Sequence, residues 1–378
     1  MSVLIFILIL SFLVLIHELG HFIVARRAGI TVEEFGIGYP PLAMKLFTWK
    51  GTVFSLNWIP FGGFVRMAGE ESEAEDEEQV SKGKKLSTGQ FYQASSLKKL
   101  AVILAGAAVN FMFGVVAFSI VFSILGIPKE LTTARIGAVA PESPAAEAGL
   151  PAGVEVIAVT SENGEVTSIS TSQQLITVIT EYRGQTVTLT TTGPCQHTVC
   201  AESAQTFSVY LRTEAETPQN QGALGIVFES MIFQHYPWWQ MPFRSVWYGI
   251  DQALSLGQQI LMALGSIVTD VFRSGSVPDE LAGPVGIVHQ AQSSGLFSEG
   301  PLALLSFAGM LSVNLAIMNV LPIPPLDGGR ALLLLLEPLI SKQKRLKIEY
   351  YANYSGYVLL LGLIIFITFR DISRVFLG

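Results

Sequence analysis

The stretch SVLIFILILSFLVLIHELGHFIVA, residues 2–25, combines a long apolar run with two histidines and one glutamate. Since about 20 apolar residues form a helix that crosses roughly 30 Å of hydrocarbon, the stretch predicts a transmembrane helix. A cleaved signal peptide is the alternative, but no basic segment precedes the apolar run, and HELGH stands where a cleavage site would lie. The chain therefore begins with a membrane helix that carries ionisable side chains.

Three further stretches of spanning length contain no Asp, Glu, Lys or Arg: residues 100–128, 301–326 and 350–369. The composition agrees, because 50% of the 378 residues are hydrophobic and only 14% are charged. The net charge of -7 argues against a nucleic-acid partner. A fifth stretch, Val246 to Phe272, has apolar residues at helical spacing between polar ones, which is typical of an interfacial amphipathic helix in contact with membrane lipid. We predict a polytopic α-helical membrane protein with four transmembrane helices.

Positive charge predicts the orientation of these helices. Ten Lys and Arg residues lie between the first two spans and five between the last two, which predicts that both loops are cytoplasmic. Both termini and the long middle region should then be extracytoplasmic. Four segments follow: 1–128 with the first two helices and a cytoplasmic β-rich loop, 129–230 as an extracytoplasmic domain, 231–300 as amphipathic interfacial helices, and 301–378 with the last two helices.

Two regions between the predicted spans have β-like sequence. Thr52 to Met67 is rich in β-branched and aromatic residues around Gly62 and Gly63, which predicts a membrane-associated β-hairpin region. Short β-like runs surround one helical segment in 129–230, which predicts an inserted α+β domain. Cys195 and Cys200 in that domain are expected to form a disulfide in an oxidising exterior, although a metal site that adds His197 is the alternative.

HELGH is an HExxH motif, and its spacing has a physical reason. His17 and His21 are four residues apart, so they share one helix face and both imidazoles can bind one Zn²⁺. Glu18 lies one residue round, where it can act as general base on the attacking water. Ionisable groups within a span are costly and indicate function by default, although a mutually satisfied cluster without metal is the alternative.

Catalytic zinc usually has three protein ligands, so a third is required. Glu33 and Glu34 follow the first span closely, but Asp327 is the better candidate because it ends an otherwise uncharged span within broken backbone. With four spans, HELGH and Asp327 both lie toward the cytoplasmic side and can meet. If Val246 to Phe272 were a fifth span, Asp327 would lie at the outer face.

Two resemblances follow from these motifs. ARIGAVAPESPAAEAGLPAGVEVIAV, residues 134–159, resembles the opening of a circularly permuted bacterial PDZ domain, except that Val154 stands where such domains commonly have Asp. HELGH, FGGF (residues 61–64) and NVLPIPPLDGG (residues 319–329), with this PDZ-like domain between, together resemble the site-2 protease family of intramembrane zinc metalloproteases. The resemblance covers essentially the whole chain.

The resemblance implies a function and roles for individual residues. His17, His21 and Asp327 match the zinc ligands, Glu18 matches the general base, and Asn319 matches an asparagine that holds substrate backbone. The hairpin with Gly62 and Gly63 is expected to contact substrate. Asn110 is expected to serve packing or hydrogen bonds between helices, rather than substrate contact.

The expected substrates are single-span membrane proteins already shortened on the outer side, such as anti-sigma factors or signal-peptide remnants. The expected location is the bacterial plasma (inner) membrane, and the PDZ-like domain is expected to bind a peptide or a C-terminus. A proteolytically inactive PDZ scaffold is the main alternative. A transporter is a third reading, but the sequence has no internal repeat.

Overall fold

The computed structural model describes residues 2–69, 89–196, 199–219, 221–274, 283–339 and 342–377. His197 lies outside these ranges, as do residues 275–282 of the predicted segment 231–300. Contacts divide the chain into two compact units, which are described separately below. Unit 1 comprises Met1–Val121 and Pro242–Gly378, and unit 2 comprises Phe122–Met241.

The helices of the described residues are, in chain order, α1 (Ser2–Ala28), α2 (Ser96–Leu125), α3 (Pro144–Glu147), α4 (Ser172–Glu181), α5 (Met241–Ser274), α6 (Pro284–Ser293), α7 (Pro301–Val320), α8 (Asp327–Leu335) and α9 (Lys342–Leu377). Short 3₁₀ helices lie at Phe91–Gln93 and Glu337–Leu339. The strands are β1 (Val32–Trp49), β2 (Thr52–Met67), β3 (Ile127–Glu130), β4 (Ile136–Val139), β5 (Val156–Thr160), β6 (Val166–Ser168), β7 (Thr186–Thr191), β8 (Cys195–Gln196), β9 (Val199–Cys200), β10 (Gln205–Tyr210), β11 (Ile226–Phe228) and β12 (Met231–Gln234).

Among the described residues, four helices are long and apolar enough to cross a membrane, and they match the four predicted spans. They are α1, α2, α7 and the part Tyr350–Ser373 of α9. The third span was predicted to run to 326, but α7 ends at Val320. Pro322, Pro324 and Pro325 follow directly, and proline removes a backbone donor and clashes with the preceding helical turn.

Small residues bring the spans of unit 1 into close contact. A Cβ on Gly20 of α1 would lie 2.6 Å from the carbonyl oxygen of Ala105 in α2, and Gly114 of α2 faces Val313 and Gly309 of α7. The hydroxyl of Ser312 in α7 donates a hydrogen bond of 2.8 Å to the carbonyl of Asn110 in α2. Such small-residue contacts are how membrane helices pack without a hydrophobic driving force between them.

Strand β1 contacts two different parts of β2, so the hairpin folds back on itself. Residues 34–37 pair with residues 66–63 on one side, in the antiparallel sense. The same residues also pair with residues 53–56, and in this second pairing the residue numbers of both segments increase in the same direction. The segment 53–56 also pairs with residues 44–48, so it has strand neighbours on both sides. Among the described strands, the segment 63–66 has a neighbour on one side only.

Helix α5 packs against two spans through a stripe of small buried residues. Ser245, Gly249, Ala253 and Gly257 recur at every fourth position and are all buried. A Cβ on Gly249 would lie 2.5 Å from the hydroxyl of Ser119 in α2, and one on Gly257 would lie 3.2 Å from Ile317 in α7. The sequence interpretation of an interfacial helix did not include this contact.

Helix α6 is joined to α9 by a buried carboxylate. Asp371 accepts hydrogen bonds from the backbone N–H groups of Gly283, at 3.3 Å, and Gly286, at 2.7 Å, at the beginning of α6. A carboxylate at this position satisfies N–H groups that lack partners within a helix. Val288 and Ala291 of α6 also pack in one apolar cluster with Phe6 and Leu13 of α1.

Unit 2 has its own apolar core between small sheets and a helix. Its largest sheet has the strand order β10, β7, β5, β6, and two further sheets pair β11 with β4 and β12 with β3. Leu175 of α4 and Leu189 of β7 are fully buried in the core, and Val154 is buried in it as well. The side-chain oxygens of Ser143 and Thr171 accept hydrogen bonds from backbone N–H groups in the first turns of α3 and α4, and so cap these helices. Unit 2 therefore has the α+β content that its sequence predicts.

Cys195 and Cys200 are paired across β8 and β9 and form a disulfide. These are the only two cysteines of the chain. We expect neither to react with an alkylating reagent until a reductant is added, and two labels per chain to appear afterwards. Mass spectrometry of the intact protein measures the labels, with a Cys195→Ser, Cys200→Ser double variant as the control for labelling elsewhere. Labelling without reductant would contradict the pairing.

Candidate metal centre

Helix α1 presents His17 and His21 on one face, one turn apart, as the HExxH spacing predicts. Both side chains are buried, and their rings are nearly perpendicular, with centroids 4.7 Å apart. Both Nε2 atoms point to the same place, since they lie 3.1 Å from each other. Two imidazole nitrogens are thus available for one ion.

Asp327, at the beginning of α8, completes a three-residue cluster. Its Oδ2 atom lies 3.0 Å from Nε2 of His17 and 3.3 Å from Nε2 of His21. Tetrahedral coordination of zinc, with ligand distances of about 2.0–2.1 Å, needs ligand atoms about 3.3–3.4 Å apart. The three observed separations are close to this value, so these residues fit a zinc ion with one further position for water or substrate.

The chain reverses tightly between α7 and α8, and this reversal brings Asp327 to the histidines. A Cβ on Gly328 would clash with the carbonyl oxygens of Val320 and Leu321. A Cβ on Gly329 would lie 2.7 Å from the backbone nitrogen of Pro324. The two glycines after Asp327 therefore allow α8 to begin directly against the end of α7.

Helix α2 provides the neighbours of both imidazoles. Nδ1 of His21 donates a hydrogen bond of 2.7 Å to the carbonyl of Val102. Nδ1 of His17 lies 3.5 Å from the side-chain nitrogen of Asn110. Gly106, between these two positions, lies beneath the rings, and a Cβ there would be 2.5 Å from Nε2 of His21 and 2.6 Å from Nε2 of His17. The absence of a side chain at Gly106 makes room for the cluster.

Glu18 lies where α1 meets the β-hairpin. Its side chain is partly buried, and a Cβ on Gly63 would lie 3.8 Å from its Cγ atom. Tyr39 of β1 is near the same place, because its ring lies 3.1 Å from the Cβ position of Gly62. Partial desolvation raises the pKa of the Tyr39 hydroxyl, and the Glu18 carboxylate raises it further. Tyr39 was absent from the sequence prediction, since no motif marked it.

The other predicted residues have different surroundings. Asn319 lies in the last turn of α7, partly buried, and within the described residues its side chain has no hydrogen bond to the histidines or Asp327. Glu34 forms an ion pair of 3.2 Å with Arg66 and accepts a hydrogen bond from Ser55, and Glu33 is exposed. Neither glutamate belongs to the cluster. Glu155 lies near Cys195 and Cys200, but the disulfide occupies both sulfurs.

The fold and the cluster define a class of protein: a membrane protein with several spans and a buried His-His-Asp site that fits zinc. The model of peptidase family M50 matches residues 5–363, and the chain belongs to this family, the site-2 proteases. It is 28% identical to zinc metalloprotease RasP of Geobacillus kaustophilus, over 100% of this chain and 99% of the relative. It is 27% identical to the regulator of sigma-W protease RasP of Bacillus subtilis, over the same shares.

Family membership and these relatives make the chain an intramembrane zinc metalloprotease whose cofactor is Zn²⁺. The site-2 protease family, which the HELGH, FGGF and LDGG motifs predicted, is therefore confirmed.

We expect Gly106→Ala to weaken zinc binding roughly tenfold or more, because the added methyl group would displace both imidazoles. Competition with a chelator of known affinity, on detergent-purified protein, measures the change. Gly362→Ala is the matched control, because a Cβ at Gly362 in α9 meets nothing within 4 Å. Equal zinc affinity in Gly106→Ala and the unmodified protein would mean that the two imidazoles do not hold the ion.

Proposed function

We propose that His17, His21 and Asp327 hold the zinc ion and that Glu18 is the general base of peptide-bond hydrolysis within the membrane. The observation that carries this proposal is the convergence of three potential ligand atoms within 3.3 Å of one another. Two of them come from successive turns of α1, and the third comes from a residue 310 positions later in the chain.

Zinc, when bound, supplies Lewis-acid polarisation of the scissile carbonyl and lowers the pKa of a water molecule. His17, His21 and Asp327 would hold the ion in a fixed position, because contacts with α1, α2 and α8 hold these three side chains in place. Glu18 takes the proton from the attacking water and delivers it to the leaving amine. Its position next to His17, but off the face that the two histidines share, suits a proton carrier better than a ligand.

A helical substrate must unwind before cleavage, because helix hydrogen bonds occupy its carbonyls. The segment 63–66 of β2 supports a binding site for the substrate in its extended conformation. It has one strand neighbour among the described strands, so its other side is available for an added strand. Gly62 and Gly63 border this segment close to Glu18, and we assign them to substrate binding. Asn319 is proposed to hold substrate backbone from the end of α7.

The part of the hairpin between residues 42 and 59 is proposed to contact membrane lipid. Its apolar side chains are exposed to an extent that is unusual for a protein surface in water. They include Leu42, Met44, Phe47, Trp58 and Ile59, which are each at least 45% exposed.

We propose that residues 129–230 form a PDZ-like domain that binds a peptide or a C-terminus. Strand β11 has one strand neighbour, β4, among the described residues, and Val227 of β11 is 61% exposed. A free strand edge is what strand addition by a peptide requires. The predicted segment 231–300 begins with the strand β12 and not with a helix. Its helix α5 is proposed to be amphipathic, because the exposed apolar side chains Phe243, Trp247 and Leu254 lie on one face.

The proposed substrates are single-span membrane proteins already trimmed on the outer side, such as anti-sigma factors or signal-peptide remnants. The Bacillus subtilis relative, by its name, is a protease that regulates sigma-W, and the anti-sigma class fits that name. We place the enzyme in the bacterial plasma membrane, with both termini extracytoplasmic and the active site toward the cytoplasmic side. The clustering of Lys and Arg in the two predicted cytoplasmic loops supports this orientation.

We expect Glu18→Gln to lower cleavage of a single-span substrate on the order of 100-fold or more while zinc is retained, because general base catalysis is lost but no ligand is removed. Asp327→Asn should lose zinc as well as activity. Substrate cleavage and zinc content of detergent-purified protein are the two measurements. Glu33→Gln, at an exposed carboxylate close to α1, is the control and should retain both.

These variants also separate the enzyme from the inactive scaffold. A scaffold would leave the cellular phenotype unchanged in Glu18→Gln. Activity at the unmodified level in that variant would remove Glu18 from the mechanism.

We expect a substrate with its outer part already removed to be cut at least tenfold faster than the same substrate with a bulky folded outer domain. The reason is that a large outer domain sterically limits access of the span to a site within the membrane. Cleavage of the two forms by the purified enzyme, with matched spans and cytoplasmic tails, measures the ratio. Equal rates would contradict selection by outer-domain size.

A further inference from the structure

The Nδ1 atoms of His17 and His21 lie on the side of each ring away from Asp327, and each needs a hydrogen-bond acceptor. The acceptor for His17 is a residue that the proposed ligand set does not include. Both Nε2 atoms face Asp327, so Nε2 is the ligand atom of each ring. A neutral imidazole that binds metal through Nε2 carries its proton on Nδ1, and that N–H group must have an acceptor when it is buried. Such acceptors fix the orientation of metal-bound histidines.

One of these acceptors is a backbone group, and the other position is taken by a side chain. Nδ1 of His21 has the carbonyl of Val102 at 2.7 Å. The only described group in hydrogen-bond range of Nδ1 of His17 is the amide of Asn110, whose nitrogen is 3.5 Å away. Asn110 is fully buried, and its Oδ1 atom has no hydrogen-bond partner among the described residues.

A rotation of the Asn110 amide by 180° satisfies both groups at once. The amide oxygen and nitrogen have nearly the same size, so the rotation needs no additional space. It places Oδ1 toward Nδ1 of His17, where the oxygen accepts the ring N–H. A buried acceptor without a donor and a buried donor without an acceptor each cost free energy, and the rotation pairs this acceptor with this donor. It also turns Nδ2 to the position that Oδ1 held.

The backbone of Asn110 is held at this depth by both neighbouring helices. The hydroxyl of Ser312, fully buried in α7, donates to the carbonyl of Asn110. Gly106 lies one turn before Asn110, against the imidazoles, and Gly114 lies one turn after it, against Val313. The side chain therefore projects from a fixed point of α2.

We propose that Asn110 is a positioning residue for the metal centre: its side-chain oxygen accepts the Nδ1 proton of His17 and orients that imidazole toward the ion. The sequence interpretation of Asn110 as a residue that packs or forms hydrogen bonds between helices did not connect it to the metal centre. The inference rests on the proposed ligand set of His17, His21 and Asp327. It goes beyond that set by assigning a partner to His17 that matches the Val102 carbonyl at His21.

The test is zinc affinity, measured by chelator competition on the full chain in detergent. Asn110→Leu keeps the side-chain size and removes the acceptor, and it should weaken zinc binding roughly 10- to 100-fold. Asn110→Asp retains an oxygen acceptor and should restore affinity to near the unmodified level. Ser119→Ala, which removes a hydroxyl of α2 that donates to the carbonyl of Val115 and not to Asn110 or an imidazole, should leave the affinity unchanged.

A second measurement uses Co²⁺ in place of Zn²⁺, because its visible absorption reports ligand geometry. The spectrum of Asn110→Leu should differ from that of the unmodified protein, and the spectrum of Asn110→Asp should match it. Unchanged affinity and spectrum in Asn110→Leu would overturn the inference. Equal losses in Asn110→Leu and Asn110→Asp would also overturn it, because packing and not the acceptor would then explain the effect.

His17→Ala separates this inference from the proposed function. If His17→Ala loses zinc while Asn110→Leu binds it normally, the ligand set stands and the role of Asn110 fails. If His17→Ala retains zinc at the unmodified affinity, the ligand set itself is wrong, and the role of Asn110 fails with it.

Discussion

Ionisable side chains inside a membrane span are tolerated only when protein groups surround and satisfy them, and the core of unit 1 is arranged around this constraint. His17 and His21 lie in the predicted first span, where lipid offers no hydrogen bonds. Asp327 and the carbonyl of Val102 supply partners from two other segments. The close approach of α1 and α2 at Gly20 and Gly106 brings these groups within reach. One polar cluster thus determines how three segments pack.

Close helix contacts give this cluster a fixed geometry, while other elements are attached at fewer points. Helices α2 and α7 meet through Gly114 and Gly309 and share the hydrogen bond between Ser312 and Asn110. The spanning part of α9 is the least enclosed of the four spans. It contacts the reversal before α8 at Gly356, where a Cβ would clash with the carbonyl of Pro324. The proposed ligand positions therefore depend on α1, α2 and the reversal between α7 and α8, and α9 contacts that reversal.

Much of the architecture was predictable because it depends on local patterns. Long apolar stretches, three of them without Asp, Glu, Lys or Arg, located the four spans, and the HExxH spacing placed His17 and His21 on one face of α1. Asp327 was identified because a carboxylate after three prolines at the end of a span is unusual. The double pairing of β1 with β2 was not predictable, since register depends on contacts distant in sequence. Tyr39 was missed because its position next to Gly62 depends on a contact distant in sequence, and the same holds for the partner that we propose for Asn110.

The residues of the candidate metal site lie outside unit 2. The cluster uses residues near the beginning and the end of the sequence, and all of them belong to unit 1. Unit 2 is inserted between α2 and α5 and has its own buried core, so its surface can change without changing a ligand. Because His17 and Asp327 are 310 residues apart, the site forms only when the spans on both sides of this insertion assemble correctly. Metal binding is therefore coupled to the packing of the membrane helices.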